Sequence, residues 1–310
     1  MPRTRRMIIR NEPGVYHVIS RTALSGLPFK DVDKDKLLSI IRGYSKLFFV
    51  EVLGFSLMSN HFHLVVRMLP SDGFTADEVI DRLQDHYAAK IHITEERIPY
   101  YKEKLSSLAN FMKEIKQAFS VYYNRKHRRK GTLWGERFKS VIVENGETLV
   151  NCLAYVELNP IRAGLVTKPE DYRWNSLGYH AQGGNGDGFL SLDFGVAEFG
   201  EVDAEERLRL YRAFVYEAGA VDHPNKPNAR KIRKNVLRKA RKKNFKPTRM
   251  ERFLVRSRYF TDSGVIGSKA FVAESYLTFQ DLFWNPGRRR PKPVHGLPGV
   301  YSLKQLIDVV

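Results

Sequence analysis

Two histidines and a tyrosine are the residues of this sequence whose types and spacing could do chemistry. His61-Phe62-His63 places two imidazoles at i and i+2. In an extended strand side chains alternate faces, so both rings share one side and Phe62 takes the other. Two imidazoles so placed can ligate one cation. They suit zinc, manganese, iron, copper or nickel; magnesium prefers oxygens, with phosphate and water completing its shell. The plainer alternative is a solvated strand face. Cys152 is the only cysteine, so a disulfide framework and a Cys-rich zinc site are both excluded. His17, on an earlier strand, could neighbour the pair; a hydrogen-bonded sheet residue is the reading favoured. Tyr155 and Asn159 lie four apart and share a helix face. Tyr155 falls at the edge of the stripe Leu149, Leu153, Val156. By geometry alone it is a core-rim residue, and Asn159, just before Pro160, is a helix C-cap.

Composition narrows what such groups would act on. The chain has 310 residues, enough for two domains, and a formal net charge of +18. That excess points to a polyanion, with nucleic acid first; a ribosome-associated or merely soluble basic protein is the alternative. With 43% hydrophobic residues a packed core is expected. No stretch approaches eighteen apolar residues, and the basic start, Met1 to Arg10, lacks the apolar run of an export signal. A cytoplasmic, nucleoid-associated protein without membrane contact is expected. No Gly-x-x-x-x-Gly-Lys phosphate loop is present, so no nucleotide cofactor is expected.

The elements that must position these residues follow from pattern. Strands are expected at Val15–Arg21, Phe49–Met58, His61–Met68 and Phe138–Glu144, with a tight turn at Ser59-Asn60. Helices are expected at Asp33–Phe48, after the capping box of Thr75 and Glu78, around Leu105 to Phe119, and at Glu147–Leu158. The order predicts an α+β sandwich with a mainly antiparallel sheet, akin to the ferredoxin-like arrangement. Residues 1–182 read as the catalytic domain, the Gly-rich 183–203 as a linker, and 204–310 as a basic, mainly helical, DNA-binding C-terminal domain. Lys226 to Arg258 holds fifteen Lys or Arg against one acid, Glu251. Ser263 to Ser268 followed by Lys269 to Tyr276 is similar to a small helical DNA-binding module with a glycine turn. Arg125, Lys126, Arg128, Arg129 and Lys130 are candidate phosphate contacts, and Trp134 either stacks on a base or packs half-buried.

Four segments carry a family resemblance. Gly54 to Val66 resembles the histidine-hydrophobic-histidine strand of HUH single-tyrosine transposases. Tyr155-Val156-Glu157-Leu158-Asn159-Pro160-Ile161-Arg162-Ala163-Gly164-Leu165-Val166 resembles their tyrosine helix. Gly131-Thr132-Leu133-Trp134-Gly135-Glu136-Arg137-Phe138-Lys139 resembles a segment of REP-associated tyrosine transposases, and Tyr16-His17-Val18 with Arg21 resembles their opening strand. Together they span roughly residues 14 to 180 in the family's order. The resemblance implies an HUH fold, a divalent metal ion (Mg2+ or Mn2+) on His61, His63 and Asn159, and Tyr155 as nucleophile. It also implies single-stranded or hairpin DNA as partner, bound in part by Arg21, Trp134 and Arg137. DNA would be cut and rejoined through a 5′-phosphotyrosine by a monomer or homodimer. This sequence departs from the family at Ser20-Arg21-Thr22, where Arg-Gly is usual, at Ser59, where proline is common, and at Asn159, where the simplest relatives have Gln. The competing readings are a domesticated, non-catalytic DNA-binding protein of the same fold, a metal-dependent hydrolase that uses water, and a structural ribosomal or chromatin protein.

Overall fold

The computed structural model describes residues 6–87, 93–183, 185–221, 230–232, 264–282, 289–294 and 299–303. Among these, seven strands form one sheet: β1 (Gly14–Arg21), β2 (Val50–Leu57), β3 (His61–Met68), β4 (Lys139–Val143), β5 (Val265–Gly267), β6 (Lys292–Pro293) and β7 (Tyr301–Ser302). Their spatial order is β2-β3-β1-β4-β5-β7-β6. All neighbours are antiparallel except β4 and β5, which run parallel. The expected α+β class with a mainly antiparallel sheet is what the chain adopts.

Alternation along the strands splits the core in two. Tyr16, Val18, Phe62, Leu64 and Val66 point to one face and are buried there with Leu37, Ile41, Phe111, Ile115 and Phe119. The last five lie on α1 (Asp31–Leu47) and on α4 (Leu108–Lys126), which follows α2 (Ala76–Tyr87) and α3 (Ile98–Leu105). Val15, Val65, Val141 and Val143 point to the other face and meet α5 (Glu147–Glu157) and α9 (Ala204–Gly219). Because the period is two, the face holding Val15 and Val65 also holds His17, His61 and His63. The histidines therefore look toward the tyrosine helix rather than toward α1 and α4.

Helix α5 is brought close to the sheet by a missing side chain. A Cβ at Gly54 would lie 2.6 Å from Leu153 Cδ2, so any larger residue there would force Leu153 or its helix to shift. Glu157 anchors the other end. Its buried carboxylate accepts hydrogen bonds of 3.2 Å from the Leu177 N–H, at the start of α7 (Ser176–Gly183). Burial raises its pKa to about 8 against the opposing effect of that bond. Past Leu158 the chain does not simply stop at Pro160. It makes one further turn, α6 (Asn159–Arg162), with proline in its first positions, where a missing N–H costs nothing. Gly164 at φ +74° then ends the turn, a left-handed conformation that favours glycine.

Beyond residue 182 the described segments pack onto the sheet and core already formed. Within the stretch expected as a linker, Phe189 and Leu190 are buried, the Ser191 N–H donates to Val52 O at 2.9 Å, and α8 (Val196–Phe199) follows. The described strands between residues 265 and 302 join the sheet already formed. β5 pairs with β4, and β7 and β6 extend the same sheet. Val265 to Gly267, read as the turn of a helical module, is a buried strand because its β-branched pair completes the sheet edge. Among the described residues, α10 (Lys269–Phe279) follows it, capped by Ser268. The basic run from Lys226 to Arg258 lies almost wholly outside the described residues.

Candidate active site

His17 and His63 are the buried centre of the site. Their rings stack at 5.2 Å between centroids, 13° from parallel. His17 Nε2 and His63 Nδ1 are 3.0 Å apart, so one ring nitrogen donates and the other accepts. The register explains the meeting: Ile19 sits opposite His63 and His17 opposite Val65, which makes the two histidines diagonal neighbours on one face. His17 is thus the hydrogen-bonded sheet residue the sequence suggested, and its partner is the second histidine of the pair. His61 follows on the same face, with its ring centroid 5.1 Å from that of His63. Its Nδ1–H donates to Asn60 Oδ1 at 2.6 Å.

Burial, then electrostatic interaction with His17, His61 and Arg21, holds His63 well below the ordinary imidazole pKa. His63 is therefore neutral at neutral pH and has a lone pair to offer. Its Nδ1 is taken by His17, so a ligand would have to meet Nε2. A second partner on the other ring nitrogen is the usual way a metal-binding histidine is oriented. The donor chemistry fits a divalent cation on His61 and His63, with oxygens from elsewhere. Among the described residues, no group of three or more His, Cys, Asp or Glu is arranged to hold a metal ion. Any further ligand would be an amide, a phosphate or water.

Tyr155 closes the site from α5. Its ring lies 5.9 Å from that of His63, at 83°, and 5.9 Å from that of His17, at 78°. The phenol ring and the imidazole of the second histidine are thus neighbours in space. Asn159 caps instead of pointing away: its amide nitrogen donates to Tyr155 O at 3.2 Å and Val156 O at 3.3 Å. Arg162, which sequence reasoning did not single out, lies with its guanidinium carbon 5.4 Å from the Tyr155 ring centroid. Its only sequence signal was a place in the same short run as Tyr155 and Asn159.

The residues expected on DNA divide. Arg21 ends β1 opposite His61 and is exposed at the edge of the site; Arg137 is exposed as well. Arg125, Arg128 and Lys130 are exposed around the end of α4. Lys126 is bound to the buried Asp33 at 2.8 Å, and Arg129 is bound to Asn124 Oδ1 at 2.6 Å and Thr132 O at 3.1 Å. Trp134 does not offer a face to a base. It is buried against Phe29, Phe62 and Phe119, and its indole N–H donates to Lys116 O at 3.0 Å. Satisfying that polar edge while burying a large ring explains its place in the core.

Residues 13–106 match the family of IS200-like transposases. The transposase match takes in β1 to α3, and so His17, His61 and His63, and ends before Tyr155. A solved structure described as the REP-associated tyrosine transposase bound to a REP hairpin is similar at 15% identity, over 59% of this chain and 87% of that one, with a TM-score of 0.42. No curated protein matches the sequence significantly. No helix among the described residues is long and apolar enough to cross a membrane.

Proposed function

We propose that the protein is a DNA transposase that cleaves and rejoins single-stranded DNA through a phosphotyrosine on Tyr155, acting at hairpin-forming repeats of the REP type. The observation that carries this reading is the approach of the Tyr155 ring to 5.9 Å from His63, on the strand face that also bears His61. The transposase match of residues 13–106 supports it.

In this reading Tyr155 Oη attacks the scissile phosphorus in line. The Oη–P bond forms and the P–O3′ bond breaks. The electron pair leaves with the 3′-oxygen, which takes up a proton as the phenol gives one to solvent. A free 3′-hydroxyl attacking the phosphotyrosine reverses the step and joins new ends, so no energy-rich cofactor is consumed. A Mg2+ or Mn2+ ion would be held by His61 and His63, with the Asn159 amide oxygen as a third ligand. When bound it polarises a phosphoryl oxygen as a Lewis acid. His17 fixes the ring of His63, and Asn60 fixes that of His61. Arg21 and the exposed cations Arg125, Arg128, Lys130 and Arg137 hold phosphates along the strand. Residues 204–310, with the basic run from Lys226, add to DNA binding; the protein acts in the cytoplasm on the nucleoid.

The test is incubation with end-labelled single-stranded hairpin DNA and manganese, followed by denaturing electrophoresis. A protein-linked band that vanishes in Tyr155→Phe while DNA binding is kept supports the reading. Cleavage without a linked band points to a hydrolase that uses water. Binding without cleavage in the unaltered protein points to a domesticated DNA-binding protein.

A further inference from the structure

Among the described residues at the site, Arg162 is a charged group that the mechanism above leaves without a task. The residue keeps part of its surface exposed, yet its Nη1 is enclosed and has no hydrogen-bond partner among the described residues. A guanidinium prefers to fill its N–H groups with carboxylate or phosphate oxygens, and an enclosed N–H without an acceptor is costly. The guanidinium carbon stands 5.4 Å from the ring centroid of Tyr155. Burial lowers the pKa of Arg162 only to about 10, and Tyr155 opposes even that, so the group is charged at neutral pH. The short α6 turn and the left-handed Gly164 hold the residue one turn past the tyrosine helix, with Pro160 fixing the entry.

We propose that Arg162 is a catalytic residue: its unpaired Nη1 binds a non-bridging oxygen of the phosphate that Tyr155 attacks, and stays on that phosphate in the phosphotyrosine. The proposal rests on the reading of Tyr155 as nucleophile. It explains why a cation is placed beside a phenol with a donor left open. Negative charge on the phosphoryl oxygens is the ligand chemistry that both groups share. A guanidinium suits this place because its planar fork meets phosphate oxygens and stacks on an aromatic ring at once.

Tungstate, a phosphate mimic with strong anomalous scattering, tests this without any reaction. Crystals of the full chain are soaked with sodium tungstate in chelator, so that no metal ion can hold the anion. The expected result is an anomalous peak within hydrogen-bond distance of Arg162 Nη1 and beside Tyr155 Oη. Tyr155→Phe should keep the peak and Arg162→Met should lose it. In the hairpin DNA assay Arg162→Met should slow formation of the linked band by about 100-fold to 1,000-fold, the size seen on removing one preorganised transition-state donor. Arg162→Lys should restore part of that rate and keeps the fold testable if the methionine variant is unstable. No peak at this place in the unaltered protein, or a peak retained in Arg162→Met as an adventitious ion, overturns the proposal. A linked band that persists in Tyr155→Phe sinks the nucleophile reading instead, whatever the tungstate shows.

Discussion

The histidine face of the sheet and the basic end of α4 are both rich in groups that could meet DNA, and they are built in opposite ways. On the sheet face the polar rings are buried and hold one another: His17 on His63, and Tyr155 edge-on to both. At the end of α4 the cations sit near solvent, and two of them, Lys126 and Arg129, are held by the protein itself. Lys126 and His127 share the carboxylate of Asp33, which is fully buried. Burial alone would raise the Asp33 pKa, but the bonds from Lys126, His127 and the Lys30 N–H outweigh it and the value is lowered. The difference teaches that a cluster of cations in sequence is not by itself a binding surface. Part of that cluster is internal structure, and only its exposed members are available to a phosphate.

The largest expected effects belong to the sheet face. Tyr155→Phe should abolish the protein–DNA linked band, a loss of at least about 1,000-fold in cleavage, since the nucleophile itself is gone. Its circular dichroism and thermal midpoint should match those of the unaltered protein. His63→Ala should remove manganese binding measured by isothermal titration calorimetry, with a cleavage loss of about 100-fold or more. His17→Phe should weaken manganese affinity by about 10-fold to 100-fold through loss of the bond that orients His63, without removing a ligand. Equal manganese affinity in that variant would show that His17 only packs.

The α4 end should give smaller effects of a different kind. Replacing Arg125, Arg128 and Lys130 with alanine should weaken single-stranded DNA binding and lower the slope of log affinity against log salt by about 2, roughly 0.7 for each phosphate no longer neutralised. Asp33→Ala should leave that slope nearly unchanged and instead cost about 1–3 kcal/mol of stability, read from urea unfolding, because it removes the buried acceptor of Lys126, His127 and the Lys30 N–H. If Asp33→Ala changed the salt slope as much as the triple variant, the division between internal and available charge would fail.

The smallest expected effect tests burial away from both regions. Burial pushes the His180 pKa down to about 4, with Arg212 adding to the shift. A depressed histidine contributes stability above its unfolded value near 6.5, and that stability is lost as pH falls toward 4. His180→Gln should therefore show a shallower fall in thermal midpoint between pH 7 and pH 4.5 than the unaltered chain.

Much of the site could be read from spacing. The i, i+2 histidines needed only the strand period to share a face, and the Thr75–Glu78 capping box forms as its sequence pattern implies, with the Thr75 N–H on Glu78 Oε2 at 2.7 Å. What could not be read was anything set by register between distant segments. The diagonal meeting of His17 and His63 depends on pairing across 46 positions of sequence, which no local pattern encodes. Trp134 shows the same limit, since its surroundings left base stacking and packing both open and three distant phenylalanines bury it. The strand Val265–Gly267 is too short to carry a periodic signal and is a strand only because β4 offers an open edge. Arg162 was visible as a letter but not as a neighbour of Tyr155, because the turn at Pro160 decides where it points.

The most direct measurement is the site of covalent attachment. The protein is trapped on single-stranded hairpin DNA with manganese, digested with nuclease and trypsin, and the peptides are mapped by mass spectrometry. A nucleotide joined through its 5′-phosphate to the peptide that contains Tyr155, with fragmentation placing it on that tyrosine, is the expected result. A nucleotide on any other residue, or cleaved DNA with every peptide unmodified, would contradict the account.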